Sequence, residues 1–285
     1  MTATTEALYR YPVKSMGGER LGALRVSKRG VPGDRAWALR DEARGGIRCG
    51  KRFPELMACS ARYSGDPPEQ GCRPAWVTLP DGGELSIAAG DAAPTLSELV
   101  QSPVSVWPIL NPTVLARFHA GNPTAADTAA LEGAFDDDAE AVTGRRDLDT
   151  FPTFLNELRD LSRGYYDAYP ILIMTTESLL HLGNVAPARN LALSRFRPNV
   201  LLRTETGEAF PERAWVGRTL RVGEAEFDIA VDCLRCVMTT HGHGIVPHDP
   251  AVIADLEAHA DNKLGVYATV RTPGRLRIGD AATLV

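Results

Sequence analysis

The chain has 285 residues, a formal net charge of −5, and 44% hydrophobic and 24% charged residues, which is the composition of a folded globular protein. Its acidic balance argues against nucleic acid as a partner, although a local basic pocket for a small anion is compatible with it. No apolar run approaches the roughly 20 residues that a membrane-spanning helix needs, so we expect no membrane association.

The cysteines and the first residues indicate the compartment. The five cysteines are an odd number at irregular spacing, which argues against a disulfide framework. Cys49, Cys59 and Cys72 are too scattered to supply a second metal-binding pair. The segment Met1–Glu6 lacks the basic start and apolar core of a signal peptide. The sequence therefore predicts a cytoplasmic protein.

The first third of the chain predicts short strands separated by glycine and proline turns. The predicted elements are strands at Glu6–Tyr11, Leu21–Val26, Ala36–Arg40, Trp76–Leu79 and Leu85–Ala88, a short helix at Thr95–Val100, and a strand at Ser102–Ile109. Many short strands of this kind are typical of a β-rich unit. We therefore expect an N-terminal domain built mainly from β-strands.

The rest of the chain adds strands with helices between them. Ile171–Thr175 is an apolar run typical of a buried strand, and a helix capped by Thr175 or Thr176 follows at Glu177–Leu182. Further strands are predicted at Asn199–Arg203, Thr219–Val222, Ala225–Val231, Tyr267–Thr272 and Arg275–Ile278, with helices at Phe151–Arg163 and Ala251–His259 and a solvated acidic loop at Asp136–Glu140. The predicted fold class is β-dominated α+β, a β-barrel with inserted helices.

A pair of cysteines flanks an arginine directly after a predicted strand. Cys233 and Cys236 lie on either side of Arg235. A thiolate is both a nucleophile and a soft metal ligand, and a neighbouring arginine favours the thiolate form. The spacing alone fits a redox pair, half of a zinc site, a catalytic nucleophile or a single-thiolate metal ligand.

Two short segments in the N-terminal part carry groups suited to a phosphate. Lys14 and Ser15 present an ammonium group and a hydroxyl at the exit of the first strand. Arg35, after the turn Gly30–Gly33, either contacts a phosphate or pairs with the adjacent Asp34, and from the residues alone the ion pair is favoured.

Similar alternatives hold further along the chain. Arg197 and Asn199 offer a guanidinium and an amide next to Pro198, which suits a phosphate or a heterocycle edge as well as a structural cap. Asp167 lies in an aromatic stretch, where it is either a turn residue or a contact for a pterin ring.

The histidine-rich segment His241–His248 follows the cysteine pair. A zinc site shared with the cysteines is one interpretation, but His241 and His243 are closer together than zinc-finger spacing requires. A flexible glycine loop that covers an active site is the interpretation we favour.

Taken in order, five segments resemble the molybdenum cofactor sulfurase C-terminal (MOSC) family. They are Tyr11–Ser15, Gly30–Arg35, Pro170–Leu179, Arg195–Asn199 and Arg235–Thr240. The N-terminal part resembles the β-barrel domain that accompanies this family, so the resemblance predicts two domains, at residues 1–95 and 96–285. In arrangement the chain is most similar to the amidoxime-reducing component and the bacterial N-hydroxylaminopurine-resistance proteins.

The resemblance implies a molybdenum–molybdopterin cofactor and its contacts. Cys236 matches the cysteine that binds molybdenum, and Cys233 is secondary. The implied cofactor-binding residues are Lys14, Ser15 and Arg35 at the phosphate, Arg197 and Asn199 as a second set, Asp167 as a looser match, and Arg235 beside Cys236. A thiolate together with a dithiolene suits molybdenum, which is a soft centre here.

The activity implied by the resemblance is reduction of N-hydroxylated compounds, N–OH to N–H. The alternative is a carrier of the cofactor, or a sulfur-transfer module, without turnover of its own. Relatives often carry a ferredoxin-like domain with a four-cysteine cluster after this region, and the present sequence through Val285 has none. We therefore expect a separate electron-donor protein of the ferredoxin, flavodoxin or cytochrome type. Relatives also continue Thr-Thr-Val-Asp-Pro where this chain has Thr239-Thr240-His-Gly-His-Gly, so the loop and the substrate range are expected to differ.

Overall fold

The structure is a computed structural model that describes residues 2–69, 72–109, 124–125, 164–205 and 207–285. The predicted helix Phe151–Arg163 and the acidic run Asp136–Glu140 lie outside these residues. The chain forms two compact units that alternate along the sequence. We call them the barrel unit (Met1–Arg10, Gly17–Pro32 and Asp167–Val285) and the small-sheet unit (Tyr11–Met16 and Gly33–Tyr166). The division into domains at residues 1–95 and 96–285 stays a prediction.

The barrel unit is dominated by β-strands. Its strands are β1 (Thr2–Arg10), β2 (Glu19–Leu21), β3 (Ala23–Val26), β10 (Ile171–Thr175), β11 (Val200–Thr204), β12 (Thr219–Val222), β13 (Ala225–Leu234), β14 (Lys263–Thr272), β15 (Gly274–Arg277) and β16 (Ala281–Leu284). Its helices within the described residues are α2 (Thr176–Val185) and α3 (Ala251–Ala260). The strands of the small-sheet unit are β4 (Trp37–Asp41), β5 (Ile47–Arg48), β6 (Ser60–Arg62), β7 (Trp76–Thr78), β8 (Glu84–Ser86) and β9 (Val104–Pro108), with helix α1 (Ala92–Val100).

Seven strands close into a barrel. Their order is β11-β10-β14-β13-β12-β16-β1, and β1 pairs again with β11, so no strand of the ring is left with an open edge. Only β10 and β11 run parallel, and α2 connects them. Alternate side chains along the strands point inward, and Phe227, Leu220 and Ile173 in the interior are fully buried. This confirms the predicted β-dominated fold with inserted helices.

A buried carboxylate anchors the start of α2. Thr175 is the N-cap and accepts a hydrogen bond from the Ser178 amide, which confirms one of the two predicted caps. Glu212 is fully buried and accepts hydrogen bonds from the hydroxyls of Thr175 at 2.6 Å and of Ser178 at 2.6 and 2.8 Å. The amide of Gly265 in β14 also donates to Glu212, at 3.2 Å. One carboxyl group therefore links two barrel strands to the helix between β10 and β11.

Among its described residues, the small-sheet unit contains two three-stranded sheets with the orders β5-β4-β9 and β6-β7-β8. Trp37, Leu56 and Leu96 are among the buried residues of its core. The predicted strand Ala36–Arg40 and the hairpin at residues 76–88 correspond to β4 and to β7–β8.

Several strand predictions need correction: β1 and β14 each begin four residues earlier than predicted, and β5 and β6 were not predicted. β13 continues three residues beyond the predicted end at Val231, to Leu234, because its ladder with β14 extends to the pair Leu234–Lys263. The sequence pattern also missed β16, a four-residue strand that pairs with β1 and β12. Among the described residues, we find no helix that is both long enough and apolar enough to cross a membrane.

Candidate functional site

Cys236 lies at the point where a barrel strand passes into a tight turn. It follows β13 and precedes a 3-10 turn at Val237–Thr240. The backbone amide and the hydroxyl of Thr239 each donate to the Cys236 carbonyl at 3.0 Å. The residue is half-buried, and the turn holds its backbone in place.

Cys233, by contrast, is a core residue of the barrel unit. It is 1% exposed and lies in a cluster of buried apolar residues with Met174, Phe196 and Leu264. Both cysteines are free thiols. The burial of Tyr267, and secondarily its proximity to Cys233, raise the pKa of that tyrosine. The environment of Cys233 supports its secondary role and does not favour a dithiol mechanism.

Arg235 is buried and binds backbone carbonyls. Its Nε donates to Leu264 O at 2.9 Å and its Nη1 to Phe196 O at 2.9 Å, while Nη2 contacts Leu264 O and the sulfur of Met174. These contacts fix the segment that precedes Cys236. A direct contact of Arg235 with a cofactor stays a prediction.

A second buried arginine, Arg195, fixes the segment that follows Cys236. Its guanidinium donates to the carbonyls of Thr239 and His241 at 3.1 Å each, to Pro247 O at 2.6 Å and to Asn190 O at 2.6 Å. Burial lowers the pKa of Arg195, although nearby Asp249 partly offsets this. Arg195 belongs to the motif Arg195–Asn199 but had no predicted role, because its partners are backbone carbonyls that sequence cannot identify.

The histidine-rich loop contains a tight turn, and its flexibility stays a prediction. His243 and Val246 exchange two backbone hydrogen bonds of 2.9 Å and form a tight turn, with Ile245 98% exposed at its tip. His243 Nε2 lies 2.7 Å from Ser194 Oγ. Burial, together with the positive charges of Arg195 and Arg197, lowers the pKa of His243. Within the described part of the chain, no three His, Cys, Asp or Glu side chains form a group that could hold a metal ion on their own.

The other predicted residues of the barrel unit differ in their surroundings. Arg197 is half-buried and has a left-handed backbone with φ 56°. Asn199 is buried: its Oδ1 accepts from the Leu172 amide at 3.1 Å and its Nδ2 donates to Tyr9 O at 3.4 Å, so its side chain joins β1 and β10 at the start of β11. Asp167 is exposed.

The remaining three predicted residues lie in the small-sheet unit. Lys14 Nζ donates to Tyr165 O at 2.9 Å, and the hydroxyl of Ser15 accepts from the Gly50 amide at 2.9 Å. Arg35 pairs with Asp34, as the sequence favoured, and its guanidinium lies 4.6 Å from the ring centre of Tyr11.

Three of the predicted cofactor contacts share an unusual backbone. Ser15, Arg35 and Arg197 have φ values of 70°, 47° and 56°, a region that residues other than glycine seldom occupy. Such conformations cost about 1–3 kcal/mol each and concentrate at functional sites. Their occurrence at three residues selected from motifs alone supports a binding role for those segments.

Two family models match this chain. The family model of the MOSC N-terminal beta barrel domain matches residues 2–107, and that of the MOSC domain matches residues 160–283. The chain is therefore a MOSC-domain protein that also carries the accompanying N-terminal β-barrel domain.

Among curated proteins, the relatives are amidoxime-reducing components. The zebrafish (Danio rerio) mitochondrial amidoxime-reducing component 1 is 30% identical over 131 residues, which are 43% of this chain and 39% of that protein. The rat (Rattus norvegicus) mitochondrial amidoxime reducing component 2 is 29% identical over 138 residues, again 43% of this chain and 39% of that protein. The match thus spans about two fifths of the length of these relatives.

Among solved structures, the YuaD protein from Bacillus subtilis covers 100% of this chain at 12% identity with a TM-score of 0.45. YiiM from Geobacillus stearothermophilus covers 41% of this chain at 17% identity with a TM-score of 0.32.

Proposed function

We propose that this protein reduces N-hydroxylated compounds with a molybdenum–molybdopterin cofactor whose metal is bound by Cys236. The observation that carries the proposal is the half-buried Cys236, held between segments fixed by Arg235 and Arg195, in a MOSC domain. The names of the curated relatives supply the substrate class, since those proteins are amidoxime-reducing components.

The residues present fit such a cofactor. A single thiolate suits a metal whose other ligands come from an organic dithiolene. The cofactor also carries a phosphate, and Lys14, Ser15, Arg35 and Arg197 provide ammonium, hydroxyl and guanidinium groups on backbones in or beside the left-handed region. The proposed cofactor-binding set also includes Asn199, Asp167 and Arg235. Asn199 and Arg235 act mainly by holding backbone segments in place.

The chain's own residues would bind and orient the cofactor and the substrate. When bound, the cofactor supplies the two-electron chemistry by which R–NH–OH, two electrons and two protons give R–NH₂ and water. Thr239, through its two hydrogen bonds to the Cys236 carbonyl, holds the thiolate-bearing residue in one orientation. The loop at residues 241–248 lies directly after this turn in sequence and would limit access of water and of large substrates.

The proposal is tested on protein made in a host that synthesises the cofactor. We expect about one molybdenum and one pterin per chain, and turnover of a hydroxylamine or amidoxime with reduced viologen as donor. Bound molybdenum without turnover would favour the alternative function, a cofactor carrier or sulfur-transfer module. Absence of molybdenum from fully folded protein would contradict both.

The electron donor and the compartment complete the proposal. We propose a separate ferredoxin, flavodoxin or cytochrome-type donor with its reductase, and a cytoplasmic location. Purified protein alone should then not oxidise NADH in the presence of a hydroxylamine, and should do so once a reductase chain is added. Consumption of NADH by the protein alone would reject the separate donor.

A further inference from the structure

Both backbone groups of Arg235, the residue immediately before Cys236, are hydrogen-bonded to one residue, Asn262. The Arg235 amide donates to Asn262 O at 2.8 Å, and Asn262 Nδ2 donates to Arg235 O at 2.9 Å. Arg235 O belongs to the peptide bond whose nitrogen is that of Cys236. Asn262 therefore restrains the peptide bond that joins Arg235 to Cys236, the residue with the candidate thiol.

This contact continues the strand pairing after the regular ladder has ended. β13 and β14 pair irregularly towards this end, with a register shift between Asp232 and Leu234, and the last pair is Leu234–Lys263. One residue further along β13, the side chain of Asn262 supplies the donor that a backbone amide would otherwise provide. Leu264, two residues after Asn262, accepts from the Arg235 guanidinium, so the same short segment holds both the backbone and the side chain of Arg235.

Asn262 makes this contact from an unfavourable, left-handed backbone conformation. Asp261 and Asn262 follow helix α3 with φ values of 48° and 56°, two consecutive left-handed residues that are not glycine. Asparagine tolerates this region better than most residues, and its amide is also the donor that reaches Arg235 O. Its Oδ1, moreover, is buried without a hydrogen-bond partner among the described residues. An unpaired buried acceptor lowers the stability of the fold. The hydrogen bonding of the Asn262 side chain therefore does not maximise stability.

We infer that Asn262 is a positioning residue for Cys236. Through its two hydrogen bonds to Arg235 it sets the direction in which the Cys236 thiol is presented. The inference rests on the proposed role of Cys236 as the metal-binding thiolate, but it concerns the geometry of the polypeptide before any cofactor binds.

Two glycine substitutions at adjacent left-handed residues separate the side-chain contact from the backbone conformation. Asn262→Gly keeps the positive φ and removes the donor to Arg235 O. Asp261→Gly relieves the same kind of strain one residue earlier, where the exposed side chain contacts Arg213 and not Arg235. Asn262→Asp is a second variant, which keeps the shape of the side chain but places an acceptor against the Arg235 carbonyl.

The readout is the rate at which iodoacetamide alkylates Cys236 in full-length protein from a host that lacks the cofactor, quantified peptide by peptide. Cys49, in the small-sheet unit, is the reference for intrinsic reactivity, and the buried Cys233 reports any unfolded fraction. In Asn262→Gly and Asn262→Asp we expect Cys236 to react about fivefold faster than in wild type, the effect of losing one ordinary hydrogen bond. In Asp261→Gly we expect a rate within about twofold of wild type.

The same variants, made in a cofactor-competent host, distinguish this inference from the proposed function. A faster Cys236 in both Asn262 variants with Cys233 still protected supports the inference, even if wild-type protein contains no molybdenum and the proposed function fails. If wild type contains molybdenum but Cys236 in the Asn262 variants reacts no faster than in Asp261→Gly, the inference is overturned and the proposed function stands. If Cys233 becomes reactive along with Cys236 in both Asn262 variants, Asn262 is a general stability residue, and the inference is also overturned.

Discussion

The guanidinium of Arg235 lies 5.4 Å from the ring centre of Phe196 and donates a hydrogen bond of 2.9 Å to the carbonyl of the same residue. Phe196 directly follows Arg195, whose guanidinium binds the carbonyls of Thr239 and His241. The segments on both sides of Cys236 are thus tied to one short stretch of chain. A disturbance of that stretch should reach the thiol without any direct contact with it.

We predict that Arg195→Met destabilises the protein and loosens the loop that follows Cys236. The substitution keeps much of the volume but leaves four carbonyls without their donor, and each unpaired buried group costs about 1–3 kcal/mol. We expect a loss of at least about 3 kcal/mol in the free energy of unfolding in urea and faster amide exchange in residues 239–249. Arg221→Met, at an exposed ion pair with Glu226, is the control and should cost no more than about 1 kcal/mol. Equal losses in the two variants would contradict the role given to Arg195.

Substitution by serine should have different effects on metal binding at Cys236 and at Cys233. Cys236→Ser should abolish turnover and remove most of the bound molybdenum, because an alkoxide is a harder and less available ligand than a thiolate. Cys233→Ser places a hydroxyl in an apolar cluster and should cost about 1–3 kcal/mol of stability while the folded protein keeps its metal. Metal analysis per folded chain measures the difference. Equal loss of molybdenum in both variants would instead indicate a shared role of the two thiols.

Arg197 and Asn199 come from one motif, yet their substitutions should have separate effects. Asn199→Ala removes the partners of the Leu172 amide and of Tyr9 O, and should lower the free energy of unfolding by about 2–4 kcal/mol. Arg197→Ala should leave stability within about 1 kcal/mol of wild type but weaken cofactor retention roughly ten- to hundredfold, the effect of one charge-assisted hydrogen bond.

Denaturation midpoints and pterin content after dialysis measure these two effects. Lys14→Ala and Arg35→Ala should behave like Arg197→Ala in pterin content. Undiminished retention in all three variants would refute the proposed phosphate contacts.

Glu212 should give a pH-dependent contribution to stability. Burial raises the pKa of its carboxyl above the ordinary value of 4.5, although the hydroxyls of Ser178 and Thr175 oppose the rise. The folded protein therefore binds this proton more tightly than the unfolded chain. The contribution is full below the ordinary pKa and is lost as pH rises through the raised folded value.

The measurement is urea unfolding of wild type and Glu212→Gln over a series of pH values. The stability of wild type relative to the variant should decrease as pH rises above 4.5, with a slope that cannot exceed about 1.4 kcal/mol per pH unit. Glu226→Gln is a control of opposite sign, because hydrogen bonds from Arg221 and Thr272 lower the pKa of Glu226. A difference for Glu212→Gln that is flat or increases with pH would show that this carboxyl is ionised in the folded state at every pH tested.

Local patterns predicted most strands, whereas the choice of Cys236 as the candidate thiol came from the resemblance to the MOSC family and stays a prediction. Ile171–Thr175 and Thr219–Val222 appear in the structure with the predicted bounds, because a short apolar or alternating run between turns is sufficient information for a strand. β16 was missed because Ala281–Leu284 is short and gains its stability from pairing with β1, which is nearly the whole chain away. A pairing partner so distant in sequence cannot be detected from a short window of residues.

The supporting residues of the candidate site were harder to predict for a related reason. Arg195, Arg235 and Asn262 act on backbone carbonyls and amides, groups that every residue has, so sequence does not reveal their partners. Motifs could identify Arg35 and Arg197 as candidate cofactor-binding residues, but the left-handed backbone at these positions is visible only in the structure.

The barrel is closed by its first and last strands: Thr2, Ala3 and Thr4 pair with Thr283, Ala282 and Ala281. During synthesis β1 leaves the ribosome long before β16, so the ring cannot close until β16 has been made. Until then β1 and β12, the two strands that pair with β16, each expose an edge to other chains, and unpaired strand edges favour aggregation. A recombinant fragment that begins at residue 160, where the MOSC match begins, would lack β1 and leave β11 and β16 as permanent edges. Production of this protein in pieces should therefore yield aggregates even though the interior of the barrel comes largely from the C-terminal part of the chain.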